Sequence, residues 1–465
     1  TEVVTRDDIE RTGATDLAAV LVEQTGIELQ GGHPSGTGVM LQGIGSERVL
    51  VLLDGQPVAG RISGVLDLSR LPVNAVERVE VLRGPQSTLY GTDAMGGVIN
   101  VITRTPPPAA AGRGAPLGVP GVTGLSLRAL AGTQARQDGA LGLTLGRGPV
   151  AASVDVGRRH VEMTPGRAAA SGALAERLDL AGKVRWATAH DDGRARTLEA
   201  NLLALDERQR WQSARLYTFA DNRQWSGRVT GVWQGRALAP TGGAAAPASR
   251  HRVSATLAGS SFGQRTRASV APRPIAGDTG SHQLQRILQA ELLYNGRLGR
   301  TGGVALDVGT QVRRDEILAA RIVGTRRALT LIEPFAQLEW SPLPGLALLP
   351  GVRASHSAVW GTRVTPRVAL RQRLGQRLTL RASAGEGFRA PDFKELYMSF
   401  VNQGAGYVVL GSPDLRPEQA RNAMLGLEWA GERAYLRTQL FHNRFRHFIE
   451  TRPADGPAGA PVYRY

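Results

Sequence analysis

The sequence predicts a mainly β chain in two parts, an α+β region over residues 1–108 and a long run of antiparallel strands after it. Three observations lead there. The chain has 465 residues, too many for one ordinary core, so two domains or one very large barrel are expected. No stretch approaches about 18 consecutive apolar residues, which removes any membrane-spanning helix and leaves a barrel as the only way to cross a bilayer. From about residue 124 onward, short segments of alternating apolar and polar residues repeat between polar turns.

The first region opens with two helix starts. Thr5 followed by Asp8 is spaced as an N-cap pair, and Thr15 precedes the run Asp16-Leu-Ala-Ala-Val-Leu-Val-Glu23. Leu17, Val20 and Leu21 share one face, and Gly26 is a C-terminal stop. The run Gly31-Gly-His-Pro-Ser-Gly-Thr-Gly38 is too glycine-rich for regular structure. Strands are expected at Val39-Met-Leu-Gln42 and at Arg48-Val-Leu-Val-Leu-Leu-Asp54, and Asp54-Gly55 is a turn signal. A strand, a Gly84-Pro85 turn, a small-residue stretch ending in Gly96-Gly97 and a second strand follow over residues 78–103.

After Arg104-Thr-Pro-Pro-Pro108 the composition shifts to an Ala/Gly/Pro-rich tract, so residues 109–123 are read as a linker and 124–465 as the strand-rich part. Alternation is clearest in Leu178-Asp-Leu-Ala-Gly-Lys-Val-Arg-Trp186 and Leu378-Thr-Leu-Arg-Ala-Ser-Ala384. A soluble sandwich shows the same period in any one segment. The number discriminates: about 17 segments is more than one soluble domain needs, and outer-membrane transporters have 22 strands around a plugged lumen.

Residues 78–103, with Val49-Leu-Val-Leu-Leu-Asp-Gly55 and Asp67-Leu-Ser-Arg-Leu-Pro-Val73 at matching order and spacing, resemble the plug domain of TonB-dependent outer-membrane receptors. The resemblance covers roughly residues 1–105 without a gap. It implies a 22-strand transmembrane antiparallel β-barrel, incomplete here, with an α+β plug inside its lumen. Apolar alternates would then face lipid, charged alternates the lumen, and tryptophans the two interfaces. Aromatic content of 5% is low for such girdles. No signal peptide or TonB box precedes Thr1, and no terminal aromatic strand follows Tyr465, so the chain reads as a fragment at both ends.

Two further boxes, Gly387-Phe-Arg-Ala-Pro-Asp-Phe-Lys-Glu-Leu-Tyr397 and Gly411-Ser-Pro-Asp-Leu-Arg-Pro-Glu418, resemble the pair that brackets an extracellular loop in many of these receptors. Ser399 to Gly411 between them reads as a loop. Haem receptors with these boxes usually carry a histidine there; this loop has none, which lowers the haem reading.

The resemblance therefore implies active uptake of a scarce metal chelate across the outer membrane of a Gram-negative bacterium. A ferric siderophore leads, a cobalamin is the alternative, and haem uptake or a passive porin follows behind. The implied partners are the chelate, the inner-membrane coupling protein TonB, and outer-membrane lipid and lipopolysaccharide, with the receptor a monomer. Substrate contact is expected from two plug loops, His33, Pro34 and Ser35 in one and Gln56, Arg61, Ile62 and Ser63 in the other. Arg61 is the sharpest choice, because a guanidinium can pair with catecholate or carboxylate oxygens around a metal. Arg389, Tyr397 and Asn402 are expected from the barrel, although the first two could simply brace the loop. Arg83, Glu77 and Glu80 are expected to tie plug to barrel or to each other. Family plugs often carry arginine where this chain has Gln42, which implies a plug–barrel latch built differently here.

Other classes are disfavoured. The absence of cysteine rules out disulfides and thiolate metal sites. The net charge of +16 is almost wholly arginine, with Lys183 and Lys394 the only lysines, and these arginines are scattered through strand-like segments without a nucleic-acid motif. A lumen or rim meeting anionic ligands or lipopolysaccharide accounts for the charge better. Gly43-Ile-Gly45 and Gly96-Gly97 lack phosphate-loop spacing. The histidines are dispersed, and no nucleophile elbow or paired acid/base carboxylates stand out, so no enzyme, metal site or cofactor is expected.

Overall fold

The computed structural model describes residues 2–32, 36–62, 65–106, 121–163, 171–190, 193–213, 216–235, 251–275, 278–298, 303–402, 406–454 and 461–465. The N-terminal region runs β1 (Glu2–Thr5), α1 (Arg6–Thr12), α2 (Leu17–Leu21), β2 (Ile27–Gly32), β3 (Gly36–Leu41), β4 (Val49–Leu53), β5 (Gln56–Pro57), β6 (Arg61–Ile62), β7 (Val65–Leu66), β8 (Val76–Arg83), α3 (Ser87–Tyr90) and β9 (Gly97–Thr103). Its main sheet has the order β1-β8-β9-β4-β5. Strand β4 lies parallel to β9, and all five of its residues, Val-Leu-Val-Leu-Leu, are buried. A strand covered on both faces needs no polar alternate, which is why the run is continuously apolar. Val79, Val98 and Ile99 complete this interior, each contributing about 1.5–3 kcal/mol by burial.

Local signals behave as short-range chemistry requires. The Thr5 side chain caps α1 by accepting from Asp8 N–H, and the Asp8 carboxylate accepts from Thr5 N–H at 2.9 Å. The cap of α2 is Asp16, not Thr15: its carboxylate accepts from Ala19 N–H at 3.0 Å, while the Thr15 hydroxyl accepts from Arg136 at 2.6 Å. That helix ends at Leu21, short of Glu23. Gln42 leaves the strand after Leu41 with φ 52° and turns the chain with Gly43. Asp54 and Gly55, at φ 50° and 81°, make the expected β4–β5 turn.

The remainder is one sheet of 15 strands among the described residues. They are β10 (Val122–Ala131), β11 (Gln137–Arg147), β12 (Val150–Met163), β13 (Ser171–Ala189), β14 (Ala195–Ser213), β15 (Leu216–Gln234), β16 (His251–Ser269), β17 (Thr279–Leu298), β18 (Val304–Ala319), β19 (Arg326–Leu343), β20 (Leu346–Ser357), β21 (Gly361–Leu374) and β22 (Leu378–Arg389), then β25 (Glu418–Ala430) and β26 (Tyr435–Arg446). Each pairs antiparallel with the next, while β10 and β26 at the two ends are not paired with each other. Between β22 and β25 the chain forms α4 (Phe393–Tyr397) and the hairpin β23 (Ser399–Asn402) and β24 (Tyr407–Leu410), so the expected loop is largely strand. Short β27 (Arg452–Ala454) and β28 (Val462–Arg464) join that hairpin in a four-stranded sheet.

The alternation sorts as expected. On β13, Leu178, Leu180, Val184 and Trp186 point outward and stay exposed, whereas Arg177, Asp179 and Lys183 point inward and are buried. Several inward side chains meet the N-terminal region. Arg70 pairs with Glu207 at 2.8 Å, Arg353 donates to the carbonyls of Thr88 and Leu89, and Ala59 N–H donates to Ser260 Oγ at 3.0 Å. Gly91 comes so close to Glu333 that a Cβ there would lie 2.8 Å from its carboxylate, and its φ of 78° further favours glycine.

Candidate functional site

At the end of the sheet that carries the 390–417 connection, the N-terminal region and the barrel wall enclose an open cleft. It holds about 1030 Å³ of empty space, its open mouth included. One wall is the β5–β6 loop, residues 57–61, with Thr92 and Asp93 beside it; the other is formed by β17–β19 and residues 389–394. Pro57, Val58, Leu329, Leu331 and Phe393 make it partly apolar, and Arg61, Asp93, Arg313, Asp315 and Lys394 supply the charge. An apolar cleft with a few convergent polar groups is what a ligand site requires.

The loop bearing Arg61 is held from below. Gln285 on β17 accepts from Gly60 N–H at 3.1 Å and donates to the Arg61 carbonyl at 2.7 Å. Gly60 packs on the Phe262 ring with φ 124°, where a Cβ would sit 3.2 Å from the ring. The Arg61 guanidinium donates to the carbonyls of Glu47 and Val49 at 3.1 and 3.2 Å, and Asp93 stands 4.0 Å away. No carboxylate forks it, so part of its donor capacity remains for a ligand.

On the opposite wall α4 starts at Asp392, whose carboxylate accepts from Lys394 and Glu395 N–H at 2.8 Å each. Burial holds the Lys394 amine below its ordinary pKa, and its Nζ makes no hydrogen bond or ion pair with the described residues. Burial, reinforced by the Asp392 charge and opposed by Arg389, pushes the Glu395 carboxyl up to about 7.

Beneath the cleft lies a buried ion-pair network. Glu418, fully buried at the start of β25, accepts two hydrogen bonds from Arg48 at 2.8 Å, two from Arg389 at 3.0 Å, and one from Ile449 N–H at 2.8 Å. Arg389 also forks Glu395 at 2.7 and 3.0 Å. Arg48 is stacked over Phe448, 4.3 Å from the ring centre. Through Glu418 this network joins the N-terminal region to the barrel.

The expected site residues separate accordingly. Arg61 lines the cleft, and Gln56 lies next to it, its side-chain oxygen accepting from Gln289. Ile62 pairs with Val65 in a two-residue ladder. His33, Pro34, Ser35 and Ser63 lie outside the described residues. Arg389 borders the cleft with its guanidinium committed to two carboxylates, and Tyr397 lies under Arg327 at 4.8 Å, so both brace the connection. Asn402 pairs with Tyr407 across the β23–β24 hairpin.

Of the expected latch, Arg83 binds Glu2 and the Thr25 carbonyl, Glu80 pairs with Arg78 at 2.8 Å, and Glu77 is exposed. Among the described residues, the side-chain hydrogen bonds and ion pairs of Arg83 and Glu80 stay inside the N-terminal region; ties to the barrel run through Arg48, Arg70 and Arg353. Arg48, Asp93, Lys394 and Glu418 lie within or beside segments quoted for the resemblance, yet their spacing does not single them out. Arg48 and Glu418 meet across 370 positions of sequence.

Comparison with known proteins gives two family matches. Residues 156–465 match the model described as TonB dependent receptor-like, beta-barrel, and residues 1–98 match the TonB-dependent Receptor Plug Domain. The chain is 40% identical over 105 residues to the vitamin B12 transporter BtuB of Vibrio cholerae, a match spanning 22% of this chain and 17% of that protein. All of the chain superposes on the siderophore receptor PirA from Pseudomonas aeruginosa, over 78% of that chain, with a TM-score of 0.70 and 19% identity. A variant of the ferric enterobactin receptor PfeA from Pseudomonas aeruginosa in complex with enterobactin gives 0.74, with 19% identity over 76% of its chain. At that identity the likeness is one of fold.

Proposed function

The chain belongs to the TonB-dependent receptors, a family of transporters in the outer membrane of Gram-negative bacteria, and from that premise we propose that it imports an anionic ferric siderophore. The observation carrying this reading is the pair Arg61 and Lys394, which reach one cleft from plug and barrel: Asp93 comes no nearer the Arg61 guanidinium than 4.0 Å, and the Lys394 Nζ makes no hydrogen bond or ion pair with the described residues. A catecholate, hydroxamate or carboxylate chelate presents outward oxygens, which a guanidinium and an ammonium satisfy by charge-assisted hydrogen bonds. An anion beside Lys394 favours its protonated form, opposing the burial that lowers its pKa.

Transport follows from the contacts at the cleft floor. A ligand drawing on Arg61 would loosen its hold on the Glu47 and Val49 carbonyls, which flank Arg48 and its Glu418 pair. TonB, pulling on the plug with inner-membrane energy, would then work against a seam of hydrogen bonds and ion pairs instead of a continuous apolar interface.

Tryptophan-fluorescence titration against ferric catecholate, ferric hydroxamate, ferric citrate, cyanocobalamin and haem tests the reading. Saturable binding of an iron chelate is expected, weakened on the order of tenfold to hundredfold by Arg61→Ala and less by Arg61→Lys. Lys394→Ala should also weaken it. Unchanged affinity in both alanine variants would remove the site.

The 40% identity to a vitamin B12 transporter over 105 residues favours cobalamin as a second reading. Tight binding of cyanocobalamin alone, insensitive to Arg61→Ala, would establish that reading in place of the first.

A further inference from the structure

A second cavity lies between the plug and the wall formed by β19–β22 and β25, about 790 Å³ with its mouth included. It shares no lining residue with the cleft. Its plug side is Leu82, Pro85, Gln86 and Leu89, and Leu349 and Met424 make part of the barrel side apolar.

The strand register builds the rest of that wall. One cross-strand row runs Gln337, Gly351, Arg367, Gly385 and Asn422, each directly opposite the next. Residues opposite each other share a face of the sheet, and Gly351 on this row meets the plug, where a Cβ would lie 3.3 Å from the Thr88 methyl. The row therefore faces inward. Glycine on both sides of Arg367 leaves the wall recessed there, and a Cβ at Gly385 would press on the Arg367 stem at 3.1 Å.

The polar groups around this recess lack protein partners. Arg367 makes no hydrogen bond or ion pair among the described residues. Neither does Gln337, nor Ser383, which lies two residues from Gly385 along β22 and so on the same face. Other arginines of the seam are matched within the protein, Arg70 to Glu207, Arg353 to Glu333 and Arg389 to Glu418. What Arg367 lacks is a carboxylate.

We propose that this cavity binds a carboxylate ligand, its oxygens on the Arg367 guanidinium and its carbon skeleton against Leu82, Leu89 and Met424. A planar guanidinium matches the two oxygens of a carboxylate, and Gln337 and Ser383 supply neutral hydrogen-bonding groups beside it. The ligand is a free organic acid or a carboxylate chelate of a metal. The site stands whether or not the cleft binds a siderophore, since the two are lined by different residues.

Thiol labelling tests this. The chain has no cysteine, so Ser383→Cys in the detergent-purified protein places a single thiol beside Arg367. A sulfonate-bearing methanethiosulfonate should modify it on the order of tenfold faster than an ammonium-bearing one, and Arg367→Gln should abolish that preference. Citrate or ferric citrate should slow the modification, with Arg367→Gln raising the concentration required on the order of tenfold to hundredfold. Gln337→Cys, across the recess on β19, should repeat the result and stands in if the first variant fails to fold. Protection by ferric citrate alone identifies the ligand as the chelate, whereas protection by metal-free citrate identifies it as the free acid. Equal rates for the two reagents, no protection by either form of citrate, or protection undiminished by Arg367→Gln would overturn the proposal. Equal protection by inorganic phosphate would do the same, since it reduces the recess to a general anion site.

Discussion

Strands β4 and β13 are both apolar-rich, yet β4 buries all five of its residues while β13 buries only its inward charged and small alternates. The difference lies in what each strand faces. Strand β4 has protein on both sides, so every side chain is worth burying. On β13 one face is outward and apolar, and the other meets the polar surface of the plug, so Arg177, Asp179 and Lys183 turn inward. The comparison teaches that the plug carries its own apolar interior, and that the seam between plug and barrel wall is rich in hydrogen bonds and ion pairs.

The seam gives the largest expected effect. Glu418→Ala would leave Arg48 and Arg389 buried with one shared partner gone, at a cost of about 3–5 kcal/mol. Urea unfolding followed by protease access to the plug should show an earlier transition for plug release, with the strand signal of the barrel retained. A single, unshifted transition would break the comparison, because it would mean that apolar contacts hold the plug.

The two strand types were legible in the sequence for the same reason that they differ. A continuous apolar run and a period-two alternation are local patterns, and so are the Thr5 cap and the Asp54-Gly55 turn. The seam was not legible. Arg48 and Glu418 stand 370 positions apart, and nothing near either residue marks the other. Arg83, expected with Glu77 and Glu80 to tie plug to barrel or to each other, binds Glu2 because β1 lies against β8. The cleft was half visible: Arg61 stood out as a cation in an apical loop, whereas Lys394 acquires its role only when α4 folds back over β18 and β19.

The outward face of β13 gives the next effect. Leu180→Arg near the middle of the apolar band should cost about 2–4 kcal/mol, read as a lower urea midpoint for the whole barrel in lipid. The same change in detergent should cost less, since water and detergent headgroups reach the guanidinium there. An equal cost in both would indicate that Leu180 packs against protein instead of lipid.

The smallest effect sharpens the comparison at the point where seam and cleft meet. Glu395 is neutral in the fold up to about 7, whereas its ordinary value is 4.5, so the folded state holds a proton that the unfolded state has released between those values. The stability this contributes is complete below about 4.5 and is lost as pH rises through about 7. Asp392 and Lys394 face the same carboxyl from α4, and Arg389 faces it from β22. Hydrogen exchange at residues 393–397 should therefore quicken, beyond its intrinsic pH dependence, from pH 4.5 to 7 in the unaltered protein, and Glu395→Gln should flatten that dependence. If protection instead grows over that range, the Arg389 fork governs Glu395 in its charged form, and the network below the cleft is ionic throughout.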